Sequence, residues 1–558
     1  MIKSRFSLGL VIAVALLSFI INYRSHVSLL GGGDEGSYIG AGKLMSRSLG
    51  FIYQDHTAEI GKRYLPADSF IPEGFRVYNA DLSPVQVVSG WNKGFSFLSI
   101  PFWWFAPENG WQFVNPVAGA ISILVLYSIG VAVSGPLTGV CAALLLATNW
   151  LQLWYSRYPM TEVTSQALIL SMVLSVVSFY KVGRVSSLLI FSALAGISSF
   201  VHFANVPMWG LLGMALCVQS MPITSREDFS LKPRGITRWV AGLSLNGGRL
   251  KSFVMVCTLA LVVPFIATVG YWFLDPGIQR YTRLGEKMAT TSGRFSQLWN
   301  AVLIRLENLL LFIPGPMWIL VVVAVWLCLR NRRLERRFWV LLMGLAVCSF
   351  ALIISTGVGT PRVLYVARRN VPIVFPMLFL MAGVALEYLS TLWKRRGVGI
   401  AMSSGVVLGL CALQLSAFAP FMGLNQGKGM PELVSQIRSE LKVRNDGRPQ
   451  FVVVPEVGSI FKAGMRYVYD VPIINFSGSV TPEVLDRMLE DGVQLFVLDD
   501  FDRKIAPVAK AVPHSELVSI SSHMLRWRHA NHLMPTSYPR VTDRSDIKFY
   551  FYELERRK

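Results

Sequence analysis

The feature that most constrains this chain is its succession of apolar runs, each close to the length that crosses a bilayer. By hydropathy alone they fall at 1–23 and near 114–133, 136–153, 162–180, 186–201, 205–221, 252–273, 309–329, 338–356, 371–391 and 398–419. The hydrocarbon layer takes about 20 helical residues, and every backbone N–H and C=O inside it must be satisfied within the segment. Runs of this length therefore dictate helices, about 11 of them. The composition agrees: at 53% hydrophobic and 15% charged residues the chain is too apolar for an ordinary soluble enzyme. The fold class expected is a polytopic α-helical membrane protein.

Charge then orients the helices. The first run carries Lys3 and Arg5 before it, and no small-residue cleavage site follows, so it reads as a retained signal anchor with a cytoplasmic N-terminus. The basic clusters Lys181 and Arg184, Arg226 to Lys251, Arg330 to Arg337, and Lys394 to Arg396 all fall in loops that this alternation assigns to the cytoplasm. Because the runs were chosen by hydropathy, this agreement is an independent check. It also explains the net charge of +20 without nucleic acid as a partner. Cys141, Cys217, Cys257, Cys328, Cys348 and Cys411 all lie in apolar segments with no C-x-x-C pair, which predicts neither a disulfide framework nor a cysteine metal site.

Four regions result. Residues 1–23 form the first transmembrane helix, 24–113 a first extracytoplasmic loop with amphipathic helices, 114–419 the helical core, and 420–558 an extracytoplasmic α/β domain. In the last, PELVSQIRSELK and TPEVLDRMLEDG have helical periodicity, while QFVVVP, QLFVLDD and FYFYEL read as strands.

Three external loops carry the polar residues that topology does not require. The first begins GGGDEGSYIGAGKLM, Gly31 to Met45, where Asp34 and Glu35 precede a short amphipathic helix suited to a membrane surface. It continues through Asp55, His56, Glu59 and Lys93. The second is WYSRYPMTEVT, Trp154 to Thr164. The third, 357–372, places Arg362, Arg368 and Arg369 on the face where arginine is disfavoured, and such arginines have an anionic partner as a rule.

Acids and arginines on one membrane face suit transfer of a group from an anionic lipid. A carboxylate deprotonates the acceptor hydroxyl as it attacks an anomeric carbon, and cations stabilise the departing phosphate. Phosphate leaves readily, so one base suffices and the displacement inverts, unlike a hydrolase that needs an acid and a base.

The acid pair after the first span, WNKGFSFLSIPFWW at Trp91 to Trp104, Asn115 to Leu168, and ARRNVPIVFPMLFLMAGVAL at Ala367 to Leu386 together resemble the GT-C glycosyltransferases, specifically the protein O-mannosyltransferase and aminoarabinose (lipid A) transferase branch. The resemblance implies an integral membrane glycosyltransferase. Its donor would be a polyprenyl-phosphate-linked sugar and its acceptor a lipid, glycan or protein on the non-cytoplasmic face, with no nucleotide sugar. It puts Asp34 in the base role, Glu35 as the adjacent acid, and Glu162 near the reaction centre or a metal. Arg368 or Arg369 would hold the lipid phosphate, with Lys93 as a second cation. No cofactor is required by the pattern; a divalent metal ion, if one is used, would fall to Asp34, Glu35 and Glu162. Where relatives show a Thr-Arg-Pro pattern this chain has His202 and Asn205, so His202 either takes a sugar hydroxyl or phosphate or makes only local hydrogen bonds.

The simpler readings stand beside these. Asp34 and Glu35 could cap a helix, and Glu162 could be a first-turn acid after Pro159. Arg157 reads as an interfacial anchor with Trp154 and Tyr155, and Asp55, His56 and Glu59 as a solvated face. His529 and His532 have i, i+3 spacing without metal partners and read as surface. A lipid-linked saccharide flippase or a non-catalytic envelope assembly subunit are the alternatives to an enzyme. A bacterial inner membrane is the expected location, with the active site on the extracytoplasmic side.

Overall fold

A computed structural model describes residues 2–24, 33–66, 70–72, 74–90, 92–107, 109–220, 247–274, 312–330, 371–422, 430–454, 464–475, 480–499, 512, 515–525, 528–530, 541–543 and 547–556. Helix α1 (Ile2–Arg24) opens the chain. The core continues with α5 (Trp111–Val133), α6 (Pro136–Thr148), a short α7 (Trp150–Tyr155), α8 (Thr161–Val182), α9 (Val185–Val201) and α10 (Val206–Ser220). Helices α11 (Gly247–Cys257) and α12 (Val263–Leu274) are joined by a π-helical turn at Thr258–Val262. Then come α13 (Gly315–Arg330), α14 (Val374–Thr391) and α15 (Arg396–Phe418).

Among the described residues, six helices are long and apolar enough to cross a membrane: Phe6–Arg24, Trp111–Val133, Thr161–Val182, Ser252–Leu274, Val374–Thr391 and Arg396–Phe421. The expected spans near 136–153, 186–201, 205–221 and 309–329 are shorter apolar helices. The one expected near 338–356 lies outside the described residues. The 136–153 run is interrupted: α6 stops at Thr148, Asn149 is extended (φ −66°, ψ 133°), and its side chain accepts from Gln152 N at 3.2 Å to start α7. An asparagine that bonds its own backbone competes with a continuing helix, and hydropathy does not register this.

The core helices approach closely where side chains are small. Gly130 of α5 lies against Gly139 of α6, and Gly383 of α14 lies on the Thr138 backbone, so a Cβ at either Gly130 or Gly383 would meet main-chain atoms.

Outside this bundle the chain departs from the expectation of amphipathic helices alone. Besides α2 (Gly33–Ser48), α3 (His56–Gly61) and α4 (Gly94–Phe105), the first loop holds β1 (Ile52–Asp55), β2 (Phe75–Asn79) and β3 (Val85–Ser89) in an antiparallel sheet of order β1-β3-β2. The β-branched and aromatic residues of RVY and VQVV fit a pleated, half-buried surface. Their apolar stretches are too short to stand out in a polar loop.

The C-terminal region is an α/β domain. It comprises α16 (Met430–Val443), β4 (Gln450–Val454), β5 (Ile473–Asn475), α17 (Pro482–Glu490), β6 (Gln494–Asp499), β7 (Ser515–Leu525) and β10 (Ile547–Arg556). Its five-stranded sheet runs β5-β4-β6-β10-β7, with β4 parallel to β5 and β6, and β10 antiparallel to β6 and β7. β8 (Arg528–Ala530) and β9 (Val541–Asp543) form a separate pair. His529 is on β8, and His532 lies outside the described residues.

This domain and the first loop share their cores. Ala41, Met45, Tyr53, Phe70 and Phe75 are buried in one cluster with Phe451, Val453, Tyr467 and Ile474. Ile39, Trp103 and Trp111 are buried in another with Val434, Ile437 and Val452. Helix α2 is thus not the one-sided surface helix that its pattern suggests, because residues 35–42 are all buried.

Candidate active site

The site builds from the way α2 lies along α4. Ser96 Oγ donates to Tyr38 O at 2.9 Å, the Tyr38 and Phe95 rings are 5.6 Å apart, and Trp104 Nε1 donates to Ser46 O at 3.1 Å. These pairings rise together along both helices, so the two run parallel with their N-termini at one end. Between them Gly42 faces Ser99 and Trp103 without room for a Cβ. Asp34 is the second residue of α2, and its side chain lies outside the described set; Glu35 follows, 5% exposed. Both acids stand in the first turn, where the helix dipole favours the ionised form.

Lys93 occupies the N-cap position of α4. Its ammonium is buried and donates to Ser89 O at 2.5 Å, while its backbone N–H donates to Tyr271 Oη of α12 at 2.9 Å. The Tyr271 ring packs at a tilt against Phe200, with ring centroids 4.1 Å apart. Gly94 lies directly on the backbone of Phe200 and Val201, the last residues of α9. His202, half-buried, follows at once, and its Nδ1 accepts from Ala204 N at 3.1 Å. The N-terminus of α4 and the C-terminus of α9 thus bring Lys93 and His202 into one neighbourhood.

Helix α8 joins from the other side. Asn205 donates to Ser165 Oγ at 3.1 Å and to Ser198 O at 3.0 Å, tying the start of α8 to the end of α9. Glu162, in the first turn of α8, is buried. The turn before it is stapled by Asn115 of α5, which donates to Tyr158 O and to Met160 O (2.7 Å) and accepts from Thr164 Oγ1 at 2.8 Å. One turn beyond Glu162, Gln166 donates to Val371 O at 2.6 Å. Val371 stands two residues after Arg369; Arg362, Arg368 and Arg369 themselves lie outside the described residues.

Two expectations are corrected here. Arg157 is not an interfacial anchor: it is 3% exposed, donates to Leu153 O at 3.1 Å and Phe421 O at 3.3 Å, and lies 4.7 Å from the Phe418 ring. The end of α15 covers it, a contact between segments far apart in sequence. Asp55 is not on a solvated face either, but buried against Arg466 and Tyr467 of the C-terminal domain. Burial, and then the Asp55 carboxylate, push the Tyr467 phenol well above its ordinary range. Of the same trio, His56 is exposed, and Glu59 accepts from Ser83 and Val85 N, with the hydrogen bond from Lys62 holding its carboxyl below the usual range.

Sequence reasoning missed Asn115, Gln166 and Tyr271, and named Asn205 without giving it a role. The first two carried a usable signal, an amide inside an apolar run, which must find partners at membrane depth. Among the described residues no three His, Cys, Asp or Glu side chains gather into a metal-holding group; the set Asp34, Glu35 and Glu162 includes a side chain outside that description.

No family model matches the sequence, and no curated protein matches it. Solved structures do. The crystal structure of ArnT from Cupriavidus metallidurans bound to undecaprenyl phosphate superposes with a TM-score of 0.54 at 13% identity, covering 98% of this chain and 97% of that one. The apo oligosaccharyltransferase of Archaeoglobus fulgidus matches with a TM-score of 0.50 at 10% identity, over 96% of this chain and 74% of that one. The oligosaccharyltransferase AglB from Archaeoglobus fulgidus, in complex with an inhibitory peptide and a dolichol-phosphate, matches with a TM-score of 0.50 at 11% identity, over 96% of this chain and 74% of that one. This chain thus shares the overall fold of these proteins, with several helices apolar and long enough to cross a membrane among its described residues.

Proposed function

From the GT-C fold as premise, we propose that this protein is a glycosyltransferase that moves a sugar from a polyprenyl-phosphate donor to a lipid, glycan or protein acceptor on the extracytoplasmic face of the membrane. The observation that carries the reading is convergence. The acid-bearing N-termini of α2 and α8 both reach the junction where α4 starts and α9 ends, and that junction also holds Lys93 and His202. Two of the matched enzymes are seen with undecaprenyl phosphate and with a dolichol-phosphate, which favours the same class of donor here.

In this reading Asp34 takes the proton of the acceptor hydroxyl while the hydroxyl oxygen forms a bond to the anomeric carbon. The bond from that carbon to the phosphate oxygen breaks, and polyprenyl phosphate leaves with the electron pair. The anomeric centre inverts. Glu35 and Glu162 orient the base or hold a divalent ion, and Arg368 or Arg369, assisted by Lys93, neutralises the phosphate. His202 takes a hydroxyl or phosphate oxygen. Asp34 stands in the first turn of α2, where a helix dipole favours a carboxylate.

The test is turnover of a panel of polyprenyl-phosphate hexoses and pentoses by the full-length protein in lipid nanodiscs, with envelope lipids, glycans and proteins as acceptors. Release of polyprenyl phosphate and a labelled acceptor is expected, and Asp34→Asn should lower the rate by about 100-fold or more. Movement of intact donor between leaflets with no turnover would sink the reading in favour of a flippase.

A further inference from the structure

Helix α2 is held from two sides, one of them α4 of the same loop. Its α4-facing side packs as described above. Its other side is buried in cores that the C-terminal domain completes, Ile39 with Val434, Ile437 and Val452, and Ala41 and Met45 with Phe451, Val453 and Tyr467. At its last turn Arg47 makes two bonds to Asp470, at 3.1 and 3.3 Å, and Arg438 stands 3.6 Å from the same carboxylate.

Just beyond α2, the strand β1 ends in a buried junction. Asp55 Oδ1 accepts from Ala58 N at 2.9 Å and from Arg466 Nη2, and Oδ2 accepts from Tyr467 Oη at 3.0 Å. The other arm of Arg466 donates to Ile473 O at 3.0 Å, tying the pair to β5. The two charged side chains are only 3% and 4% exposed. A buried ion pair gains little stability over apolar residues of the same volume, but it tolerates only one arrangement, since any other leaves charge unpaired away from water.

Resting on the transferase reading, we propose that the C-terminal domain is the positioning element for the acid-bearing helix, and that Asp55, Arg466 and Tyr467 are the pin that fixes it. A helix of 16 residues is a rod about 24 Å long, so a shift at its pinned end moves the acids at the other. Misplacement of a catalytic group by 1 Å is enough to cost about 100-fold in rate. The three residues act through α2 and touch no substrate.

The experiment uses the full-length protein in nanodiscs and two readouts. The first is kcat and KM for whichever donor of the panel is turned over; the second is hydrogen exchange of the α2 amides at 36–48. Asp55→Asn keeps the shape and the cap on Ala58 but removes the charge opposite Arg466. It should lower kcat about 10- to 100-fold, leave the donor KM within about 2-fold, and speed α2 exchange about 10-fold or more, while α5 and α8 exchange as before. Glu490→Gln, in the exposed pair with Arg556, should change neither readout. If Asp55→Asn does not fold, Arg47→Ala at the exposed clasp serves instead, with α2 exchange expected to rise about 3-fold. Unchanged kcat in folded Asp55→Asn, or a fallen kcat with unchanged α2 exchange, would overturn the proposal; so would unchanged α2 exchange in Arg47→Ala where that variant is needed. Absence of turnover in the wild-type protein would instead overturn the transferase reading, and α2 exchange would still decide whether the pin holds the helix.

Discussion

Inside the helical core, buried amide side chains mark junctions between elements, whereas buried serines such as Ser122 and Ser175 bond within their own helices. In the first loop and the C-terminal domain, burial separates the informative polar residues from the incidental. Asn115, Gln166 and Asn205 join α5 to the α8 turn, α8 to the segment before α14, and α8 to α9. In these two regions, the buried Asp55–Arg466 pair and the exposed Arg556–Glu490 pair are both carboxylate–guanidinium contacts. The first joins two regions of the fold, and the second lies on one domain's surface. The difference teaches that a polar residue's role follows from what it would leave uncompensated, which depends on the surrounding solvent more than on its chemical type.

The comparison can be broken or sharpened experimentally. The largest effect expected is the loss of transfer in Asp34→Asn, about 100-fold or more with thermal stability near wild type, read by donor turnover and thermal unfolding together. Next, Arg466→Met should destabilise the protein by about 3–5 kcal/mol by leaving Asp55 buried without its counter-ion, whereas pairing it with Asp55→Leu should recover most of that loss; denaturation of the three variants side by side checks both. In the core, Asn115→Leu should cost about 2–4 kcal/mol, because two carbonyls and the Thr164 hydroxyl lose their partner away from water. A midpoint unchanged in Asn115→Leu would remove the contrast between the regions. Gly94→Ala should cost about 1–3 kcal/mol by pushing α4 off the α9 backbone. Smallest, Arg556→Ala should change stability by less than about 1 kcal/mol, and added salt should erase even that difference.

Much of this arrangement is legible from residues alone, for identifiable reasons. The apolar runs become helices because the signal lies in consecutive residues, and QFVVV, QLFVLD and the segment ending FYFYEL become strands for the same reason. The strand Ser515–Leu525 was missed because its serines hide the alternation, and the first-loop sheet because its strands are four or five residues long. At the candidate site the sequence singles out Glu35, Glu162 and Lys93 by their loops, and His202 only through the family resemblance. It does not single out Tyr271, which reaches Lys93 across 178 positions.

What the sequence by itself determined is therefore the set of apolar segments, the α/β character of the tail, and the acid pair at the head of α2. Each is encoded in neighbours along the chain, where periodicity and capping act. Only the tertiary structure decided that α2 is enclosed rather than lying on a surface, and that Asp55 meets Arg466 across 411 positions. Such a contact leaves no local pattern, because the free energy that selects it comes from burying two distant segments against each other, and that surface exists only once both have folded.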